Sequence, residues 1–104
     1  MHLIVWEFRV KSGSEQEFER MYGPFGDWVR LFKKGTGYLG TELLCDTKNK
    51  GRYLTIDRWS SQSEFDAFHE KHMVEYRMID KRGESLTESE INLGAFSKIT
   101  SRAK

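Results

Sequence analysis

Apolar residues recur along this chain with two periods, and the switches between them divide it into elements. From His2 to Val10 the period is two. Ile4, Trp6, Phe8 and Val10 share one face, while Leu3, Val5, Glu7 and Arg9 share the other. Such alternation, rich in β-branched and aromatic residues, predicts a strand. Both faces are apolar over its first half, which predicts cover on both sides there. Past Lys11-Ser12-Gly13-Ser14 the spacing turns helical, with Phe18, Met21, Tyr22 and Phe25, then Trp28, Val29 and Phe32. Ser14 and Glu17 have the spacing of a capping box. Gly23-Pro24 interrupts the stripe, because proline lacks an amide donor and clashes one turn back. A kink is expected, or a short helix followed by a second over residues 24–33, closed by Lys33, Lys34 and Gly35.

Period two returns over residues 37–47, with Leu39, Thr41, Leu43 and Cys45 opposite Tyr38, Gly40, Glu42 and Leu44. It returns again over residues 51–60, where Tyr53, Thr55, Asp57 and Trp59 oppose Arg52, Leu54, Ile56 and Arg58. Asn49-Lys50-Gly51 predicts a hairpin turn between these two strands. Beyond Trp59 a polar crossing, Ser60 to Ser63, leads into a helix with Phe65, Phe68, His69, His72, Tyr76 and Ile79 on one side. Lys81-Arg82-Gly83 ends it. Residues 84–90 are polar and predict at most one helical turn, and residues 91–100 a last strand. The order βαββαβ is the ferredoxin-like α+β plan: a four-stranded antiparallel sheet with its helices on one face. Leu3, Val5, Leu54 and Ile56 would then lie bare on the other face. That predicts a homodimer through the open sheet face, closed as a dimeric α/β barrel.

A chain of 104 residues makes one domain, here residues 1–100 with a frayed tail at 101–104. So short a chain buries only roughly two thirds of its unfolded surface, which favours a partner subunit. The 13% of aromatic residues argues against disorder, and a net charge of +1 with mixed signs gives no footprint for nucleic acid. Cys45 is the only cysteine, so no internal disulfide is possible; no CxxC or CxxH pair builds a zinc site, and His69 and His72, three apart on a helix, have no evident third ligand, so no metal is expected. No apolar run approaches the roughly 18 residues of a membrane span. Met1 leads straight into a strand-like run without a basic leader, so a cytoplasmic protein is expected.

Two stretches carry a resemblance. Residues 7–15, EFRVKSGSE, and residues 59–69, WSSQSEFDAFH, resemble the antibiotic biosynthesis monooxygenase family of the dimeric α/β-barrel group. The first is similar to the family's strand, Gly-Ser and helix opening. The second is similar to its pattern of Trp, Ser, polar residues, Phe and then His. The resemblance implies a homodimer with a hydrophobic cavity between helices and sheet in each subunit. It also implies oxidation of phenolic polycycles by molecular oxygen without metal or flavin, so no cofactor is expected. A haem-degrading branch uses an Asn, a Trp and a His where this chain has Trp6, Phe68 and Met78, so a haem-degrading relative is the less favoured alternative. By the same resemblance Trp59 matches a pocket-lining Trp of the quinone-forming branch.

Cofactor-free oxidation requires a base for the phenol and a flat apolar site to hold it. His69 and His72 offer imidazoles, the side chain most often used as a general base. Trp6, Trp59, Phe65 and Phe68 supply aromatic walls. The expected site therefore has His69 and Trp59 as its catalytic residues, and Trp6, Phe65, Phe68 and His72 as binding residues for a small hydrophobic aromatic ligand. The same aromatic stripe also reads as core packing, and His72 as a surface residue. Glu7, Glu42, Asp57, Arg9 and Arg58 are expected to form ion pairs around the barrel. Two other readings share this frame: a dimeric module that only binds a hydrophobic ligand, and a cofactor-free isomerase or decarboxylase. No nucleophile elbow, phosphate loop or zinc-helix motif occurs.

Overall fold

A computed structural model describes residues 1–99. Its elements are β1 (His2–Val10), α1 (Glu15–Tyr22), α2 (Asp27–Phe32), β2 (Tyr38–Cys45), β3 (Arg52–Trp59), α3 (Gln62–Lys71), α4 (Met73–Glu84) and β4 (Thr87–Phe96). The strands form one antiparallel sheet in the order β2-β3-β1-β4, which is the ferredoxin-like α+β fold. All four helices pack on one face. There Ile4, Phe8, Val10, Tyr53 and Trp59 of the sheet meet Phe18 of α1, Trp28 and Phe32 of α2, Phe68 of α3 and Ile79 of α4. Nearly all of these are the inward set that the alternation predicts.

Three local expectations are revised. Ser14 makes no capping bond. Glu15, not Glu17, accepts a hydrogen bond from the turn, at Gly13 N–H (2.9 Å). Ser61 does cap α3, its hydroxyl accepting from Glu64 N–H at 3.1 Å. The long second helix is broken at His72, whose backbone (φ −113°, ψ 27°) leaves helical geometry between α3 and α4. The last strand starts at Thr87, not 91, because the free edge of β1 pairs with it: Phe8 with Glu90, Arg9 with Ser89 and Val10 with Thr87. Backbone pairing outweighs the polarity of this stretch. That strand ends at Phe96, and the expected frayed tail at 101–104 lies outside the described residues.

Bulges change which residues face inward. β2 carries one at Leu39–Gly40, where Gly40 takes φ +134°, a conformation open to glycine. Strict alternation would put Tyr38 and Thr41 on opposite faces. With the extra residue both face the helices, and Leu39 turns outward, 54% exposed. β4 bulges after Thr87 and again between Asn92 and Gly94.

The opposite face of the sheet is open. Ile91, Leu93 and Phe96 are exposed there, beside half-buried Leu3, Val5, Leu54 and Ile56. Arg52 pairs with Glu7 (2.8 Å) and Arg58 with Glu42 (2.7 Å) on this side. Glu7, Glu42 and Arg58 thus form the expected ion pairs. Asp57 does not, for it faces the helices. No helix among the described residues is long and apolar enough to cross a membrane.

Candidate functional site

Two adjoining spaces open between sheet and helices. The outer one is a cleft of about 610 Å³ between the β1–β4 edge and α3–α4, lined among others by His2, Ile4, Trp6, Phe65, His69 and Tyr76. Helical spacing places Phe65 and His69 one turn apart, their rings 5.9 Å apart. The bend at His72 brings Tyr76 edge-on to His69 at 4.7 Å. Across the cleft, β1 presents Trp6 and β4 presents Asn92, Gly94 and Ala95.

The inner space is a cavity of about 40 Å³ that adjoins the cleft at Trp6 and Tyr76, which line both. Its wall is aromatic, with Phe8, Tyr22, Trp28 and Phe32, but it also holds three carboxyls: Asp57 from β3, Asp80 from α4 and Glu90 from β4. No Lys, Arg or His lines it. Burial pushes Asp57 up to about 6, against a single opposing hydrogen bond from Thr41. Burial raises Glu90 to about 6 too, helped by the negative charges of Asp80 and Glu84. Asp80 is raised by burial and by Glu84. Burial lifts the phenol of Tyr76 to about 12, with Asp57 adding to it, and raises that of Tyr22 as well.

A short relay holds Asp57. Thr41 donates to Asp57 Oδ1 at 2.8 Å, and the Tyr38 hydroxyl lies 2.6 Å from Thr41 Oγ1. The bulge at Gly40 makes this possible, since it turns Thr41 inward. The Tyr22 hydroxyl, Trp28 Nε1 and Glu90 Oε1 are buried without a hydrogen-bond partner. Unpartnered polar atoms in a wall this apolar are costly to bury.

The structure brings Trp6, Phe65 and His69 together in the cleft. Trp59 is fully buried and lies behind them, its ring 5.4 Å from Phe65, 5.0 Å from Phe68 and 5.8 Å from Phe32. Phe68 is buried in the same stack. His72 packs on Phe68 at 5.2 Å, and its Nδ1 lies 2.8 Å from Glu75 Oε1, away from the cleft. Trp59 and His69 thus share Phe65 as a neighbour. Met78 is 63% exposed on α4.

The acidic cavity was only partly visible in the sequence. Asp57 sits among the inward positions Tyr53, Thr55 and Trp59, and a carboxylate in such a row is a signal. Asp80 follows Tyr76 by one helical turn. Glu90 could be found only by starting β4 at Thr87. Among the described residues no three His, Cys, Asp or Glu side chains are placed to hold one metal ion.

Comparison with known proteins agrees with the fold. The profile of the antibiotic biosynthesis monooxygenase family matches residues 1–75. Among solved structures, a mutant of SnoaB from Streptomyces nogalater, described as a cofactor-independent oxygenase, superposes with a TM-score of 0.75. It shares 17% identity over 99% of this chain and 97% of its own. A putative antibiotic biosynthesis monooxygenase from Deinococcus radiodurans superposes with a TM-score of 0.73 at 10% identity, over 100% of this chain and 98% of its own. A mutant of MhuD, solved with two manganese protoporphyrin IX molecules per active site, gives 0.73 at 19% identity over the whole of both chains. No curated protein sequence matches the chain.

Proposed function

The chain belongs to the antibiotic biosynthesis monooxygenase family, and from that premise we propose a monooxygenase acting on a small hydrophobic phenol without a bound cofactor. One observation carries this reading. A cleft large enough for a ring, with Trp6, Phe65 and Tyr76 among polar residues that include Asp66 and Glu70, holds a histidine, His69, against Tyr76 and Phe65. The substrate ring lies between Trp6, Phe65 and Tyr76. His69 takes the phenolic proton, and the phenolate gives electrons to molecular oxygen. A carbon–oxygen bond forms at a ring carbon bearing hydrogen. Loss of that hydrogen as a proton then cleaves the O–O bond. Phenol and O₂ become quinone and water, with His69 passing protons between substrate, peroxide and leaving hydroxide. Trp59 positions Phe65 from behind, and Phe68 and His72 hold α3 in place.

We further propose that the open sheet face is covered by a second copy of the chain. Its exposed Ile91, Leu93 and Phe96 suit an apolar interface. Sedimentation at micromolar concentration should give twice the chain mass, and a monomer would refute it. For the chemistry, aerobic oxygen uptake is measured with the metal-free protein against a panel of phenols, His69→Ala serving as control. Saturable uptake that falls about a hundredfold in the variant supports the reading. Saturable quenching of tryptophan emission with no uptake would instead show a binding module.

A further inference from the structure

The acidic inner cavity has no part in the chemistry just described. Asp57, Asp80 and Glu90 come from three different elements to one small aromatic chamber without a Lys, Arg or His in its wall. The groups facing them are Tyr22 of α1, Trp28 and Phe32 of α2, Thr41 of β2, Thr55 of β3, Tyr76 of α4, and Trp6 and Phe8 of β1. None carries positive charge at neutral pH. Asp57 is buried, Asp80 and Glu90 are half-buried with Glu90 Oε1 turned away from solvent, and carboxylates so placed are normally paired or neutralised. Here the single hydrogen bond from Thr41 serves Asp57, while Glu90 Oε1 has no partner at all. In the same wall the Tyr22 hydroxyl, on a residue only 5% exposed, has no more than a weak contact from the Trp28 indole N–H and makes no full hydrogen bond.

We propose that this cavity is a subsite for a primary ammonium group, carried on a short tether by an aromatic substrate whose ring occupies the outer cleft. The proposal rests on the monooxygenase reading for the identity of the cleft, and it adds the substrate class: phenolic aralkylamines. Three lines of chemistry converge on an ammonium. It presents three donors, and Asp57, Asp80, Glu90 and the Tyr22 hydroxyl are acceptors. Indole and phenol faces around it add cation–π attraction. Among the described residues no three such carboxyls are placed to ligate one metal ion, whereas an ammonium is held at longer range and needs only one or two carboxyl acceptors. Its 40 Å³ exceeds the roughly 10–15 Å³ that a water-sized group needs. The chamber cannot take a ring, which must stay outside. Trp6 and Tyr76 line both spaces, so a ligand crossing between them touches both. Burial has already raised Asp57 and Glu90 to about 6. An ammonium would draw them back toward the ionised form, and binding should release protons.

The test uses the intact protein and two probes that differ only in the terminal group, 2-phenylethylammonium and 2-phenylethanol. Binding is followed by the emission of Trp6 and Trp28, which line the chamber. At about pH 8 the ammonium should bind at least about tenfold more tightly, and the preference should shrink below about threefold at about pH 5, where Asp57 and Glu90 are protonated. The probe stays cationic throughout, so the change reports the protein. Glu90→Gln and Asp57→Asn should each remove most of the preference while binding of the alcohol persists. Equal binding of the two probes at pH about 8 would overturn the proposal, as would a preference unchanged in both variants. The wild-type comparison holds even if a variant fails to fold. Neither probe is a phenol, so the result is independent of oxygen uptake. A chain that prefers the ammonium yet oxidises no phenol would keep this subsite and lose the monooxygenase reading.

Discussion

Trp59 and Asp57 stand two residues apart on one face of β3, yet they build opposite ends of the layer between sheet and helices. Around Trp59 the space is closed by rings: Phe32, Tyr38, Phe65 and Phe68 all lie within 5.0–5.8 Å of its centroid. The fit is tight enough that a Cβ on Gly35 would come within 2.8 Å of both Trp59 and Phe68. At Asp57 a threonine donates to the carboxyl, two other acids and two tyrosines line the same cavity, and the packing leaves room. Apolar rings can interlock to crystal-like density. Like-charged carboxyls cannot approach one another so closely, and each demands a partner. One end therefore supplies stability, and the other gives some of it up to keep a polar chamber. Such local sacrifice is characteristic of working sites.

The sharpest way to break this comparison is Trp59→Ala. Emptying the ring stack should cost about 3–5 kcal/mol in urea unfolding; a loss near zero would show that the stack carries little of the stability. The acidic end should respond with the opposite sign. An unfolded Asp titrates near about 3.9, whereas Asp57 in the fold is raised to about 6 by burial. The folded chain therefore holds this proton more tightly. The resulting stabilisation is complete below about pH 4 and is lost as the pH climbs through about 6. Asp57→Asn should remove that loss and gain on the order of 2 kcal/mol at neutral pH. Comparing urea midpoints of the two proteins at both pH values checks it, and parallel pH curves would refute it. The smallest effect separates two serines of similar sequence context. Ser61→Ala should cost about 1 kcal/mol, and Ser14→Ala under about 0.5, because only Ser61 caps its helix.

That last pair shows how far local patterns reach. Both serines precede a glutamate by three residues at the start of an apolar stripe, and only one makes the bond. At Ser14 the preceding turn has its own donor, Gly13 N–H, and Glu15 accepts it. The alternation of β1 and β3 was legible because both are central strands with one face in the core, where burial enforces the period. β2 and β4 lie at the edges, where a bulge is cheap. The inserted residues of β2 and β4 moved Thr41 and Glu90 to the inner face against simple counting. The cleft residues Trp6, Phe65 and His69 could be read from stripes on β1 and α3. The acidic chamber could not, because it needs one residue from each of three elements whose register is fixed only by their mutual pairing.

Those bulges have a consequence beyond the site. β1 and β3 pair without interruption from His2–Trp59 to Arg9–Arg52, and every register shift in the sheet falls in its pairing with an edge strand, one in β2 and two in β4. An unbroken edge is a template on which a stray strand of another molecule can add, and then another, toward a fibril. Kinked edges offer no such run of evenly spaced amide and carbonyl groups. The irregularities that aim Thr41 and Glu90 inward thus also guard the molecule against growing sideways into aggregates.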